Sequence, residues 1–122
     1  MSVALKKMST AELAKVFVGF AIQQYDHILI SEVKQTNRYY HKMKAVELEL
    51  KSRPGDQRRV LMAFYDHPNP NVRVKAAKAT LAIAPAAARQ VLETVAATCY
   101  GPEILEAGMS LTNLDEGIYK PS

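Results

Sequence analysis

Few side chains in this 122-residue chain have the type and spacing that metal binding requires. The three histidines, His27, His41 and His67, are 14 and 26 residues apart, and none lies one helical turn from another ligand. Cys99 is the single cysteine, so it has no partner for a metal site or for an intrachain disulfide. We therefore predict no metal site. We expect Cys99 to be a small buried hydrophobic residue, with a reactive thiol as the alternative.

The usual sequence motifs of catalysis are also missing. The five glycines are scattered, so no glycine-rich loop can surround a phosphate, and the chain has no Gly-x-Ser-x-Gly sequence. Asp66 and His67 are adjacent but have no evident nucleophile, and we interpret them as a capping, solvated pair. Glu47 and Glu49 are two residues apart and therefore point in different directions on a helix. We predict no catalytic residue and no cofactor, and hence that the protein is not an enzyme.

Charge is the one remaining surface feature. Residues 32–89 carry twelve Lys or Arg against five Asp or Glu, whereas residues 90–122 carry one against five. This distribution favours an acidic partner, or charge complementarity within the chain. We expect the second and fourth helices to lie side by side and to present one basic face. Its residues are Arg38, Lys42, Lys44, Lys51, Lys75 and Lys78.

Three interpretations of this basic face stay open. It is a solvated surface, or it binds an acidic protein, or it binds nucleic acid. Nucleic-acid binding usually adds stacking aromatic residues or a recognised motif. Tyr39 and Tyr40 adjoin the face, but their spacing makes at least one of them a core residue.

Helical spacing accounts for the first half of the chain. Ser9 to Glu12 forms a capping box, which begins a helix over residues 10–30. A second apolar face on this helix predicts that the rest of the chain covers it, or that it forms a homo-oligomer interface. The residues of that face are Val18, Ile22, Tyr25 and Leu29. A second helix is predicted over 37–52 with Thr36 as its N-cap, and its buried residues are Tyr39, Met43, Val46 and Leu50.

Proline and glycine divide the second half into shorter helices. We predict a third helix over 57–66, and a fourth from Pro70 to about residue 84 with Asn69 as its N-cap. A fifth begins at Pro85, and a sixth runs from Gly101 to about residue 113. We expect a loose tail over about 115–122. No segment alternates like a strand, so the predicted class is all-α.

The segment from residue 66 to 84 resembles the HEAT-like and armadillo-like helical repeats. The matching residues are Asp66, Pro68, Val72-Arg73, Ala76-Ala77 and Leu81. The whole chain is also similar to a family of small bacterial proteins with HEAT-like helices, known only as a domain of unknown function. That second resemblance depends on Ala76-Ala77, Ala87-Ala88, Val91-Leu92-Glu93 and Asp115-Glu116-Gly117.

These resemblances imply one domain over 1–122, a right-handed HEAT-like stack of five or six antiparallel helices (an α–α superhelix). They imply a structural role for the turn: Arg73 would bond Asp66 and nearby carbonyls, next to the Asn69 cap. They also imply a non-enzymatic protein-interaction module, with the inhibitor or immunity partner of another protein as one specific role. The basic face of the second and fourth helices gives the alternative, a small nucleic-acid-binding protein. The apolar run over 16–22 is too short for a signal peptide or a bilayer span, so we expect a cytoplasmic protein without a membrane partner.

Overall fold

The structure, a computed structural model, describes residues 2–98 and 100–122; the predictions for Cys99 lie outside these ranges. The helices are α1 (Ser2–Lys6), α2 (Thr10–Leu29), α3 (Val33–Ser52), a 3₁₀ helix (Gln57–Phe64), α4 (Pro70–Thr80), α5 (Pro85–Thr98) and α6 (Pro102–Asp115). The described ranges contain no strand, which confirms the all-α class. No described helix is long and apolar enough to cross a membrane.

Two compact units make up the chain, one of residues 1–60 and one of residues 61–122. The first unit has eleven Lys or Arg and six Asp or Glu, a net charge of +5. The second has five Lys or Arg and six Asp or Glu, a net charge of −1. The positive charge of the chain therefore belongs to the first unit. The single domain over 1–122 stays a prediction.

The first unit begins with the predicted capping box. Ser9 N donates to Glu12 Oε1 at 2.8 Å, and Glu12 N donates to Ser9 Oγ at 3.0 Å. The bond from the Ser9 backbone holds the pKa of Glu12 below its usual value. Helix α2 therefore begins at Thr10, as predicted, and buries Leu13, Phe17 and Ala21.

Helices α2 and α3 pack against each other as an antiparallel hairpin. Near the link Gln24 Nε2 donates to Thr36 O at 3.1 Å, and at the opposite end Arg53 Nη1 donates to Thr10 Oγ1 at 3.3 Å. The buried residues of α3 are Met43, Val46 and Leu50, three of the four predicted. Together with the buried face of α2 they form the core of this unit.

The predicted start of α3 is wrong by four residues. The helix begins at Val33, its N-cap is Glu32, and Glu32 makes no side-chain capping bond. Thr36 cannot be the cap because its N–H already donates to Glu32 O at 3.0 Å, inside the helix. Ser31 adopts a left-handed φ of 60°, so the chain reverses in three residues and the next helix starts at once.

Arg53 fastens the open end of this hairpin. Its guanidinium donates to Glu49 Oε2 at 3.0 Å, to Thr10 Oγ1 at 3.3 Å, to Met8 O at 2.7 Å and to Leu5 O at 3.1 Å. The carbonyls of Leu5 and Met8 belong to the chain at the end of α1 and just after it. Arg53, just after the last residue of α3, thus forms hydrogen bonds with the end of α1, with the chain that follows it and with the first turn of α2.

We expect Arg53→Ala to destabilise the first unit by about 2–3 kcal/mol, because it removes several charge-assisted hydrogen bonds and leaves acceptors unpaired. The matched control is Arg59→Ala, since Arg59 is exposed and its guanidinium donates only to Gly55 O, at 3.0 Å. Urea unfolding followed by circular dichroism measures both. Equal midpoints for Arg53→Ala and Arg59→Ala would contradict the role of Arg53.

The second unit contains the predicted Asn69–Pro70 helix start. Asn69 Oδ1 accepts from Asn71 N at 2.9 Å and from Val72 N at 3.4 Å, with Pro70 in the first turn of α4. This confirms Asn69 as a cap. Helix α4 ends at Thr80 rather than near residue 84, since the following residues form a turn in which Ala84 N donates to Thr80 O at 2.8 Å. The predicted helix over 57–66 is a 3₁₀ helix over Gln57–Phe64.

Small and branched residues of α4, α5 and α6 form the core of the second unit. Helix α5 packs against both α4 and α6. The core residues are Val74, Ala77, Leu81, Ala88, Leu92, Val95 and Ala107. The alanines allow the helices to approach closely. Helix α6 continues to Asp115, two residues beyond the prediction, and Gly117 then turns the chain with a φ of 70°; the looseness of the tail stays a prediction.

Candidate functional site

The predicted basic residues of α3 do not lie on one face. A helix turns by about 100° per residue, so Lys42 and Lys44, two residues apart, lie on opposite sides of α3. Arg38 lies one turn before Lys42, on the same side, and Lys51 lies two turns after Lys44, on the other. The single basic face is therefore wrong for this helix.

Lys42 lies half-buried over aromatic rings of the hairpin. Its Nζ is 5.4 Å from the ring centre of Phe20 and 5.5 Å from that of Tyr39. The His27 ring stacks on the Tyr39 ring, with 5.7 Å between the two ring centres. His27 Nδ1 lies 2.9 Å from Glu32 Oε1. Cation–π contact and stacking hold these groups in place. Lys42 therefore contributes to packing of the hairpin.

Lys75 and Lys78 both bind Glu106 within the second unit. Their ammonium groups lie 2.5 Å and 3.2 Å from Glu106 Oε2. The Lys75 side chain is only 13% exposed, so the prediction that it faces outward is wrong. Its partner Glu106 is on α6, and spacing within α4 cannot show such a distant pairing.

Lys75, Lys78 and Glu106 form a cluster in which one carboxylate lies between two ammonium groups, and this arrangement determines how their pKa values shift. Burial lowers the pKa of Lys75, and attraction to Glu106 opposes that shift. Burial alone would raise the pKa of Glu106, but the two ammonium groups outweigh it and lower that pKa. The cluster is a compact ion-pair network with an excess of positive charge.

A continuous exposed stripe runs along the whole of α3. We call it the α3 stripe; its residues recur every three or four positions and all are exposed: Val33, Asn37, Tyr40, Lys44, Leu48 and Lys51. The apolar members are well exposed, with Val33 68%, Tyr40 45% and Leu48 56% exposed. At 1.5 Å per residue the stripe is about 27 Å long.

The electrostatics of the α3 stripe are positive. It contains no acidic residue. Lys44 Nζ lies 3.5 Å from Oε2 of the half-buried Glu47, and Lys51 adds to the larger effect of Arg58 in lowering the pKa of Asp56. Lys51 makes no ion pair with a described residue. Two of the predicted basic residues, Lys44 and Lys51, thus lie together on an apolar and cationic surface.

Reasoning from sequence placed Tyr40 beside the basic face but did not identify Val33 and Leu48. Their helical spacing was present in the sequence, since Val33 and Tyr40 are seven residues apart and Leu48 follows eight later. Val33 lies outside the predicted helix, which begins at residue 37. Leu48 is uncharged, so it is not among the predicted basic residues.

The remaining exposed large apolar side chains lie on other segments of the chain. At the hairpin link Leu29 and Ile30 are exposed. On the predicted oligomer face Ile22 is 37% exposed, whereas Val18 is half-buried. On α6, Leu105 and Met109 are exposed one turn apart. None of these groups combines apolar and cationic residues along a full helix, as the α3 stripe does.

The second unit has a small pocket, which contains the predicted turn arginine. The pocket is about 240 Å³ and is lined by Tyr65, Arg73, Ala87, Gln90, Val91 and Thr94. Tyr65 Oη is 2.5 Å from Thr80 Oγ1, and burial raises the pKa of Tyr65. Asp66 is exposed, and its bond with Arg73 stays a prediction. Across residues 2–98 and 100–122, no three His, Cys, Asp or Glu side chains converge as a metal site would require.

Comparison with known proteins identifies one similar crystal structure and one matching protein family. The chain is similar over its length to the protein RPA1889 from Rhodopseudomonas palustris CGA009, whose crystal structure is known. The identity is 39%, the TM-score is 0.92, and the match covers 97% of this chain and 98% of that one. No curated protein matches the sequence. Residues 11–115 match the domain of unknown function DUF2019, and the chain therefore belongs to that family.

Proposed function

We propose that this protein is a non-enzymatic protein-interaction module that binds its partner through the α3 stripe. The observation that carries the proposal is the stripe itself: three large apolar side chains and two lysines exposed along one 20-residue helix. A line of exposed apolar side chains interspersed with polar ones is the kind of surface that marks a binding site for another protein. Tyrosine and leucine supply buried contact area, and the lysines between and beside them supply orientation.

The HEAT-like resemblance of residues 66–84 supports the same proposal. Proteins built from stacked helix pairs present extended surfaces for partners. We propose on this basis a right-handed HEAT-like stack, working in the cytoplasm, with an inhibitor or immunity partner as one specific role. The resemblance is an argument from fold, and the site argument rests on α3 alone.

Nucleic-acid binding is the second candidate, and one observation favours it. Lys34 and Arg38 are exposed on α3 about 100° around the helix from the stripe, and they make no ion pair with any residue that the structure describes. Tyr40 and His41 meet edge to face at 5.3 Å beside them. Phosphate binding would use these cations and would weaken steeply with salt. It would not explain the exposure of Val33 and Leu48.

Affinity capture from a lysate of the source organism separates the two functions. We expect the tagged chain to retain a stoichiometric protein after nuclease treatment. Co-captured nucleic acid that is lost with its associated proteins after nuclease would instead support the second candidate. Binding of both nucleic acid and protein only at low salt would also count against the interaction module.

A further inference from the structure

We infer that the partner presents an acidic amphipathic helix, which lies along the α3 stripe. This inference rests on the proposed function and names the chemistry of the partner. It depends on the geometry and the charge of the stripe.

Geometry favours a helix as the bound element. The stripe is straight, since it follows one helix, and its members recur every three or four residues from Val33 to Lys51. A second helix with apolar residues at the same spacing can insert them between Val33, Tyr40 and Leu48, as in coiled-coil packing. Both helices already satisfy their backbone hydrogen bonds, so no unpaired N–H group is buried.

Charge complementarity favours acidic residues on that helix. The apolar members of the stripe are interspersed with Lys44 and Lys51, and the unit that carries them has a net charge of +5. Glutamates of a partner helix can pair with these two lysines next to the apolar contacts. A second copy of this chain would bring lysines toward lysines, which disfavours self-association through this surface.

A photo-crosslinker in place of Tyr40 tests this inference. The full-length chain with p-benzoylphenylalanine at position 40 is irradiated in nuclease-treated lysate, and the crosslinked peptide is sequenced by mass spectrometry. We expect a peptide of another protein with apolar residues every three or four positions and an excess of Asp and Glu. The control places the crosslinker at Gln23, an exposed position of α2 outside the stripe, where we expect no crosslink to that peptide.

Each other outcome overturns a different statement. A crosslink to a neutral or basic segment, or to an extended loop, overturns the acidic helix and leaves the interaction module standing. Capture of a stoichiometric protein without any crosslink from position 40 overturns both the acidic helix and the α3 stripe as the binding surface. Crosslinks only to a second copy or to nucleic acid overturn the proposed function as well.

Matched charge variants give an independent test. We expect Lys44→Gln/Lys51→Gln to lower the crosslink yield from position 40 by about five- to tenfold, because it removes both cations of the stripe. Lys34→Gln/Arg38→Gln removes the same charge from exposed positions about 100° around α3 from the stripe and should change the yield by less than about twofold. Equal losses in the two variants would mean that overall charge, and not the stripe, attracts the partner.

Discussion

Replacing Tyr40 and Leu48 by aspartate should weaken capture of the partner by about 100-fold or more. The double variant removes two large contact residues from the middle of the α3 stripe and puts carboxylates where an acidic helix would lie. Central anchors of an interface commonly contribute 2 kcal/mol or more each, and two of them give this range. Quantitative capture from nuclease-treated lysate measures the loss.

The same variant should leave the hairpin folded. Both side chains are exposed, and exposed substitutions usually change the free energy of unfolding by about 0.5 kcal/mol or less. The control is Gln23→Asp/Ala45→Asp, which adds two aspartates at exposed positions of the same unit outside the stripe. Capture that is equally strong for both variants, with unchanged circular dichroism, would show that the stripe does not bind the partner.

Glu106→Gln should produce a large loss of stability in the second unit. The change leaves the ammonium groups of Lys75 and Lys78 close together without their carboxylate. Removing one partner of a fully buried ion pair costs about 3–5 kcal/mol. Glu106 is 24% exposed and Lys78 34%, so solvent reduces our expectation to about 2–3 kcal/mol.

Thermal unfolding measures this effect, with Glu93→Gln as its control. Glu93 pairs with Arg89 at 3.3 Å on an exposed surface, and such pairs contribute about 0–1 kcal/mol. We expect the midpoint to fall by roughly 10 °C for Glu106→Gln and by only a few degrees for the control. A Glu106→Gln midpoint that matches wild type would contradict the ion-pair account of the cluster.

The effect of Glu106 should also depend on pH in a defined direction. Its pKa in the folded protein lies below the usual 4.5, so the folded state binds the proton less well than the unfolded state. The stabilisation is then complete above pH 4.5 and disappears as pH falls through the folded pKa. The difference in unfolding free energy between wild type and Glu106→Gln should therefore shrink in acid.

Local signals in the sequence predicted much of the secondary structure. The Ser9–Glu12 box and the Asn69–Pro70 start both depend on bonds between residues two or three positions apart. The predicted start of α3 is wrong because the observed start depends on the left-handed conformation of Ser31. A serine does not indicate that conformation in a sequence as a glycine or an asparagine would. The surrounding structure imposes that conformation.

The candidate surface was predictable only in part. Lys44 and Lys51 were identified by charge, and they do lie in the α3 stripe. The prediction that Arg38 and Lys42 share a face with Lys44 is wrong, because two helical residues turn the chain by about 200° between Lys42 and Lys44. Lys75 was placed outward because its partner Glu106 is 31 residues away, and only tertiary structure brings the two together.

Hydroxyl-radical footprinting of the chain, alone and with its captured partner, tests the central claim most directly. It reports the solvent access of individual side chains, and α6 offers an exposed apolar comparison in Leu105 and Met109. We predict that partner binding lowers the modification rates of Tyr40 and Leu48 several-fold and leaves those of Leu105 and Met109 unchanged. Unchanged rates at Tyr40 and Leu48, with protection on α6 instead, would contradict the assignment of the α3 stripe as the binding surface.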